Sequence, residues 1–132
     1  MILRRATDAD RMVFFWLRNE PVALRASRRP VITQEEHDRW WENTTDYLWV
    51  AESESGAIVG TLRLSQEGTV SIIVAKDARG QGRGPLMLTL LDDEARALGY
   101  RRMWAEIAPE NAMSQRAFLK AGWVPILMER TL

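Results

Sequence analysis

The stretch "DARGQGRGPLML", residues 77–88, decides how this chain folds. It sets Gly80, Gly82 and Gly84 at alternate positions between an apolar run ending at Ala75 and a long amphipathic segment opening at Pro85. Proline suits the first helical position, where its missing N–H is not needed. The residues before it then present backbone N–H groups at the positive end of a helix dipole, which attracts anions. Glycines let those groups come close to a phosphate. The first acid of the segment is Asp92, two turns in, whereas Arg79, Gln81 and Arg83 occupy the ground where acids are usually favoured. Residues 79–84 therefore read as an anion-binding loop at a strand-to-helix junction.

Working outward, apolar residues at Leu86, Met87, Leu90, Leu91, Ala95 and Leu98 mark one face of a helix ended by Gly99. A strand over 101–107, a helix over 111–121 ended by Gly122, and a last strand over 123–129 follow. Upstream lie three β-rich runs, 47–52, 58–64 and 69–75, joined by "SESGA" and "SQEG", turn chemistry of hairpin length. They predict an antiparallel meander. Thr33 followed by Glu36 makes a capping box for a helix through about Glu42. "PVALRASRRPV", 21–31, has two prolines and no clean period, so it reads as loop with broken turns. Thr7 or Asp8 caps a first helix with Met12, Val13, Phe15, Trp16 and Leu17 inward, after a short strand over 2–6. A meander followed by strand, helix, strand gives an α/β (α+β) chain whose mixed sheet has one parallel crossover.

Length and composition narrow the function. The 132 residues suit one domain, 1–132, with 46% hydrophobic and 27% charged residues. With no cysteine and a single histidine, His37, the chain offers no disulfide, thiolate nucleophile or histidine cluster for zinc. Basic and acidic residues balance at 18 each, so no overall field advertises nucleic acid or membrane as a partner. Arginine outnumbers lysine sixteen to two, and arginine is the better fork for phosphates and carboxylates. "MILRRATDAD" lacks the apolar core of a signal peptide and no run has the length of a membrane span, so the expected location is cytoplasmic.

Three phosphate-binding loops compete for residues 79–84. A nucleoside-triphosphate P-loop needs lysine and serine or threonine after its last glycine, where Pro85 and Leu86 stand. A dinucleotide fingerprint has the strand and helix and an acid, Glu106, about 22 residues on. However, its glycines are spaced differently and the chain lacks a second mononucleotide half. The third pattern is R-x-x-G-x-G: Arg79, Gly82 and Gly84. With it, the chain resembles the GNAT superfamily of acetyl-CoA-dependent N-acetyltransferases. "NAMSQRAFLKAGW", 111–123, is similar to that family's N-x-x-S-x-x-x-F/Y-x-x-x-G-F/W segment. The resemblance covers residues 2–129 in element order and is specific over 69–123. It implies a mixed, mostly antiparallel sheet of about six strands with about four flanking helices.

The resemblance implies acetyl-CoA as co-substrate, a small amine acceptor, and a loop from Arg79 to Pro85 that holds the coenzyme's pyrophosphate. It places an oxyanion-binding backbone N–H near Ile73 or Val74. Asn111 would bond the coenzyme arm or the strand edge, or simply cap its helix. Acetyl transfer from a thioester to an amine needs a base, donors for the oxyanion and a proton for the thiolate. With no cysteine, direct attack by the amine is the simplest scheme.

Glu106, in "MWAEIAPEN", is the base candidate; the alternative is a glutamate facing solvent at a strand end. Some protein-alanine acetyltransferases of the family carry their glutamate there. Phe118 stands where the family often has a tyrosine acid, which leaves Ser114, a water or unassisted departure of the thiolate. The family's usual seventh strand would lie past Leu132, which implies an early sheet edge or one borrowed in a homodimer. "WLRNEP" and "EEHDRWW" resemble acetyltransferases of nucleotide-linked 4-amino sugars in bacterial surface-sugar synthesis, at Arg18, Asn19, Glu36, His37 and Trp40. Arg25, Arg28 and Arg29 would meet phosphates there, and Trp40 or Trp41 a sugar or base. The opposing reading makes one tryptophan core, His37 an exposed helix residue and the arginines solvated. A protein N-terminus as acceptor, and a coenzyme-binding module without turnover, are the other readings.

Overall fold

Alternating side chains and tight turns build the sheet. The computed structural model describes the whole chain except residues 127–129. Strands β1 (Ile2–Arg5), β2 (Tyr47–Glu52), β3 (Ile58–Leu64) and β4 (Val70–Val74) pair antiparallel in the order β1-β2-β3-β4. The register sets Trp49 opposite Leu62 and Leu62 opposite Ile72. The three runs read as a meander form one.

Four of the five helices among the described residues cover the sheet. On one face lie α4 (Arg83–Ala97) and α5 (Ala112–Lys120). Met87, Leu88 and Leu91 of α4 are fully buried against Trp49, Leu62 and Leu64. Burying each such side chain contributes roughly 1.5–3 kcal/mol. The other face carries α1 (Arg11–Arg18) and α3 (Gln34–Asn43), with Phe14, Trp40 and Trp41 on Leu48 and Val50. The capping box at the start of α3 forms, Thr33 Oγ1 accepting from the Glu36 N–H at 3.1 Å. A single 3-10 turn, Asp8–Asp10, precedes α1 and ties it to the sheet. There the buried Asp10 accepts two bonds from Arg4, at 2.8 and 2.9 Å, while Arg4 also pairs with Glu52. These bonds hold the Asp10 carboxyl below its usual range, against the opposing pull of burial.

Several expectations need correction. The sheet has four strands among the described residues, not about six. Residues 101–107 form no strand: among the described residues one parallel bridge, Thr69 to Trp104, is all that pairs there. The alternation in that stretch was real, since Met103, Ala105 and Ile107 pack on the core while Trp104 and Glu106 are exposed. Alternation fixes which face a side chain takes; it does not supply a neighbouring ladder. Residues 123–126 are not in a strand, and the rest of the predicted last strand lies outside the described residues. Residues 21–27, read as loop, form helix α2 (Pro21–Ser27). Pro21 sits at its first position, where proline is tolerated, and Glu20 caps it by accepting from the Ala23 N–H at 3.1 Å. In α1 the inward residue is Phe14, and Trp16 is 62% exposed.

One glycine that the motifs passed over is dictated by packing. A Cβ on Gly60 of β3 would lie 2.3 Å from the carbonyl oxygen of Ile73 and 3.0 Å from Met87 Cε. Backbone cannot yield to that contact without parting β3 from β4. Gly60→Ala should therefore destabilise the fold by about 1–3 kcal/mol. Urea unfolding checks this; an unchanged midpoint would show that the strands have room to give.

Candidate active site

The site begins where β4 loses its neighbour. Val70 donates its N–H to Trp104 at 2.7 Å and Trp104 donates to Gly68 at 2.8 Å, closing the outer edge of β4 at that point. Backbone groups along an antiparallel strand alternate between its two sides. Since Val70 points outward, Ile72 and Val74 do too. Ala75 agrees with the alternation, donating inward to Val59 at 2.8 Å. Among the described residues, the N–H groups of Ile72 and Val74 meet no backbone partner on that outer side. Of the two positions expected to supply an oxyanion donor, Val74 faces the opening and Ile73 faces β3.

The chain then turns through a 3-10 turn, Lys76–Ala78, and enters α4. Gly80 and Gly82 have φ of 73° and 72°, the left-handed region that L side chains avoid, and Gly82 is the N-cap of α4. A Cβ on either would meet nothing within 4 Å, so the turn and not crowding demands glycine in the free protein. Gly84 differs: it is buried, and its Cβ would stand 3.4 Å from Ala117 Cβ, so it lets α4 and α5 approach. Among the described residues no side chain caps α4, and no acid lies in its first turn. Its first N–H groups remain available to an anion.

Arg79 does not reach toward that anion. Its Nε donates to the Val74 carbonyl at 3.2 Å and its Nη2 meets Glu20 Oε2 at 2.7 Å. This contact holds the Glu20 carboxyl below its usual range. The arginine of the motif thus ties the end of β4 to the start of α2. Gln81 bonds the Asp77 carbonyl at 3.1 Å within the loop. Arg83, at the first position of α4, has no hydrogen-bond or ion-pair partner among the described residues.

The other expected residues divide into groups. Asn111 caps α5, its Oδ1 accepting from the Ser114 N–H at 3.2 Å, so the helix claims that oxygen. Phe118 is buried, with its ring edge-on to Trp123 at 4.7 Å. Glu106 is exposed on the segment that leaves Trp104, facing away from the core. On the opposite face of the sheet, His37 is buried, not exposed, and bonds the Arg11 carbonyl at 2.8 Å. Since that carbonyl only accepts, Nε2 donates, and His37 joins α3 to α1. Asn19 spends both ends of its amide on Ile32, at 2.8 and 3.0 Å. Arg18 and Trp40 keep free surface. A groove of about 460 Å³ lies between α2 and the start of α5, lined by Val22, Arg25, Arg28, Asn111, Ala112 and Met113. The Arg28–Glu110 ion pair crosses it.

Comparison with known proteins gives a consistent result. The family model described as "Acetyltransferase (GNAT) family" matches residues 11–123. A domain from Methanocaldococcus jannaschii DSM 2661 superposes with a TM-score of 0.84 at 22% identity, over 98% of this chain and 91% of that one. A ribosomal-protein-alanine N-acetyltransferase from Brucella melitensis gives 0.73 at 28% identity, over 92% and 83%. A spermidine N-acetyltransferase from Vibrio cholerae, solved with coenzyme A and spermine, gives 0.76 at 18% identity, over 92% and 79%.

The left-handed turn at Gly82 generates a prediction for both folding and binding. Gly82→Ala should cost about 1–2 kcal/mol of stability, because alanine is strained there. It should also weaken coenzyme A binding at least about tenfold, since the first turn of α4 shifts. Calorimetric titration of the folded variant checks the second part; unchanged affinity would remove the loop from the coenzyme site.

Proposed function

The chain belongs to the acetyltransferase (GNAT) family, an acetyl-CoA-dependent N-acetyltransferase, and we propose that its acceptor is a small primary amine attacking directly at the open edge of β4. The observation that carries this reading is the pair of outward backbone positions, Ile72 and Val74, beside the uncapped start of α4. Acetyl-CoA supplies an activated thioester. An extended, amide-bearing arm fits an unpaired strand edge, and its pyrophosphate fits the N–H groups at 80–84.

The transfer forms an N–C bond to the acetyl carbon and breaks its bond to sulfur. An amine near neutral pH is mostly protonated, so a proton must leave before attack. Glu106 is the proposed base, acting directly or through a water, because it lies on the exposed side of the segment that diverges from β4. The outward N–H of Val74 is the proposed donor to the negative charge that develops on the carbonyl oxygen. The thiolate takes up a proton as it leaves. With a pKa like that of cysteine, about 8.5, it departs tolerably without a dedicated acid. Phe118, buried in the core, offers none, and the Ser114 hydroxyl near the start of α5 is the available donor.

On the acceptor side, Arg18 and Trp40 stay in the proposal, while His37 and Asn19 position the helices that carry them. Two of the structures compared above are of enzymes named for spermidine and for a ribosomal protein, and they lend no support to a nucleotide-linked amino sugar in particular. The 28% identity to the Brucella protein favours a second reading, a protein N-terminus as acceptor.

Glu106→Gln keeps the side chain's size and removes its basicity. The maximal rate of thiol release should fall by roughly 10²–10⁴, with coenzyme affinity little changed. A variant that turns over normally through neutral pH would move the base elsewhere.

A further inference from the structure

On the side of the sheet that α1 and α3 cover, Arg63 of β3, Arg18 of α1 and Arg29 of the connection between α2 and α3 lie near one another. Arg63 stands on β3 opposite Ser71 of β4. Its Nε lies 3.5 Å from Asp46 Oδ2, its Nη2 donates to Ser71 Oγ at 3.4 Å, and its guanidinium sits 5.4 Å from the ring centre of Trp40. Arg18, the last residue of α1, has a buried Nη1 with no hydrogen-bond partner. Arg29, in the connection between α2 and α3, has no side-chain partner among the described residues. It is nevertheless close enough to repel both other cations. Burial first, and then Arg29, lowers the affinity of Arg18 and Arg63 for their protons.

Two acids lie near: Glu36, which serves the capping box with Thr33, and Asp46, whose contact with Arg63 is 3.5 Å, so three guanidinium charges stand against two carboxylates. Arginine does not shed its charge in a protein, so the cluster stays cationic. A buried N–H donor without an acceptor is costly unless something meets it. A carboxylate or phosphate is the group whose paired oxygens match a guanidinium fork.

The cluster is also anchored to the proposed reaction centre. Asn19, next to Arg18, clamps Ile32 and with it the connection that carries Arg29. Glu20, the next residue, holds Arg79, which holds the Val74 carbonyl. Ser71, the ladder partner of Arg63, is on the same strand as Val74, about 10 Å along it.

We propose that Arg18, Arg29 and Arg63 form an anion subsite, and that the acceptor is a small primary amine whose far end carries a carboxylate or a phosphate-type group. The inference rests on the acetyl-transfer reading above and names its substrate class. The Trp40 ring of α3 lies against the Arg63 guanidinium and walls the subsite.

The test uses matched primary amines: an amino acid, its uncharged amide and an aminoalkyl phosphonate. Thiol release from acetyl-CoA is followed with each, and calorimetry reads their binding to the protein. The carboxylate or the phosphonate should exceed the amide in kcat/KM by at least about tenfold, and the better of the two identifies the anion. Arg29→Ala, whose side chain has no other partner among the described residues, and Arg63→Met should each lower kcat/KM for the anionic amine about ten- to hundredfold through KM. Both should leave the amide unchanged. An amide that performs as well as the anions, or variants that impair every amine alike, would overturn the subsite and leave acetyl transfer standing. Anionic amines that bind with a heat abolished by Arg29→Ala, with no thiol released from any amine, would support the subsite and overturn the transfer reading.

Discussion

A sheet edge must find partners for its backbone groups, and among the described residues the N–H groups along the outer edge of β4 find backbone partners only as far as Val70. Past the bonds between Trp104, Gly68 and Val70 the neighbouring chain diverges, leaving the N–H groups of Ile72 and Val74 pointing into a gap among the described residues. An open edge is a liability in most proteins because any extended chain can add to it. Here it is short, and it lies between elements that restrict what can enter. The proposed chemistry depends on that gap, since an extended ligand bonded there would have its carbonyl oxygen within reach of a fixed N–H.

Two features keep the gap in place. Gly60 admits the Ile73 carbonyl so closely that β3 holds β4 from the inner side, leaving the outer side to a ligand. Arg79 fastens the Val74 carbonyl to Glu20, which couples the end of β4 to the corner between α1 and α2. The glycines at Gly80 and Gly82 then turn the chain so that α4 starts beside the same gap with its first N–H groups uncapped. The sites proposed for coenzyme, acetyl group and acceptor thus meet around a single strand end.

The sequence made the meander legible because hydrophobic alternation and turn residues agree in it, and it made α4 legible because glycine and apolar period coincide there, although the helix opens at Arg83, two residues before the Pro85 expected to start it. It misled at 101–107, where alternation places Met103, Ala105 and Ile107 on the core but no ladder accompanies them. It misled again at Pro21, read as a breaker although Glu20 makes it the first residue of a capped helix. In the loop, the motif correctly located the turn but not the use of Arg79, whose partner lies 59 residues away and cannot be seen in a local pattern. His37 was legible only as an acceptor contact or an exposed helix residue, because its partner is a distant backbone carbonyl. Gly60 and Arg63 carried no motif at all. Their importance comes from what other strands and helices bring against them, which only the fold supplies.

The central claim is that the backbone of β4 itself receives the coenzyme. Amide hydrogen exchange, resolved by residue with and without coenzyme A, tests it most directly. The account predicts that the N–H groups of Ile72 and Val74 become at least about tenfold slower to exchange when coenzyme A is bound, because each gains an acceptor. The N–H of Ile73, which faces β3, should change little. Saturation with coenzyme A that left Ile72 and Val74 exchanging at their free rates would contradict the account and place the ligand away from the strand edge.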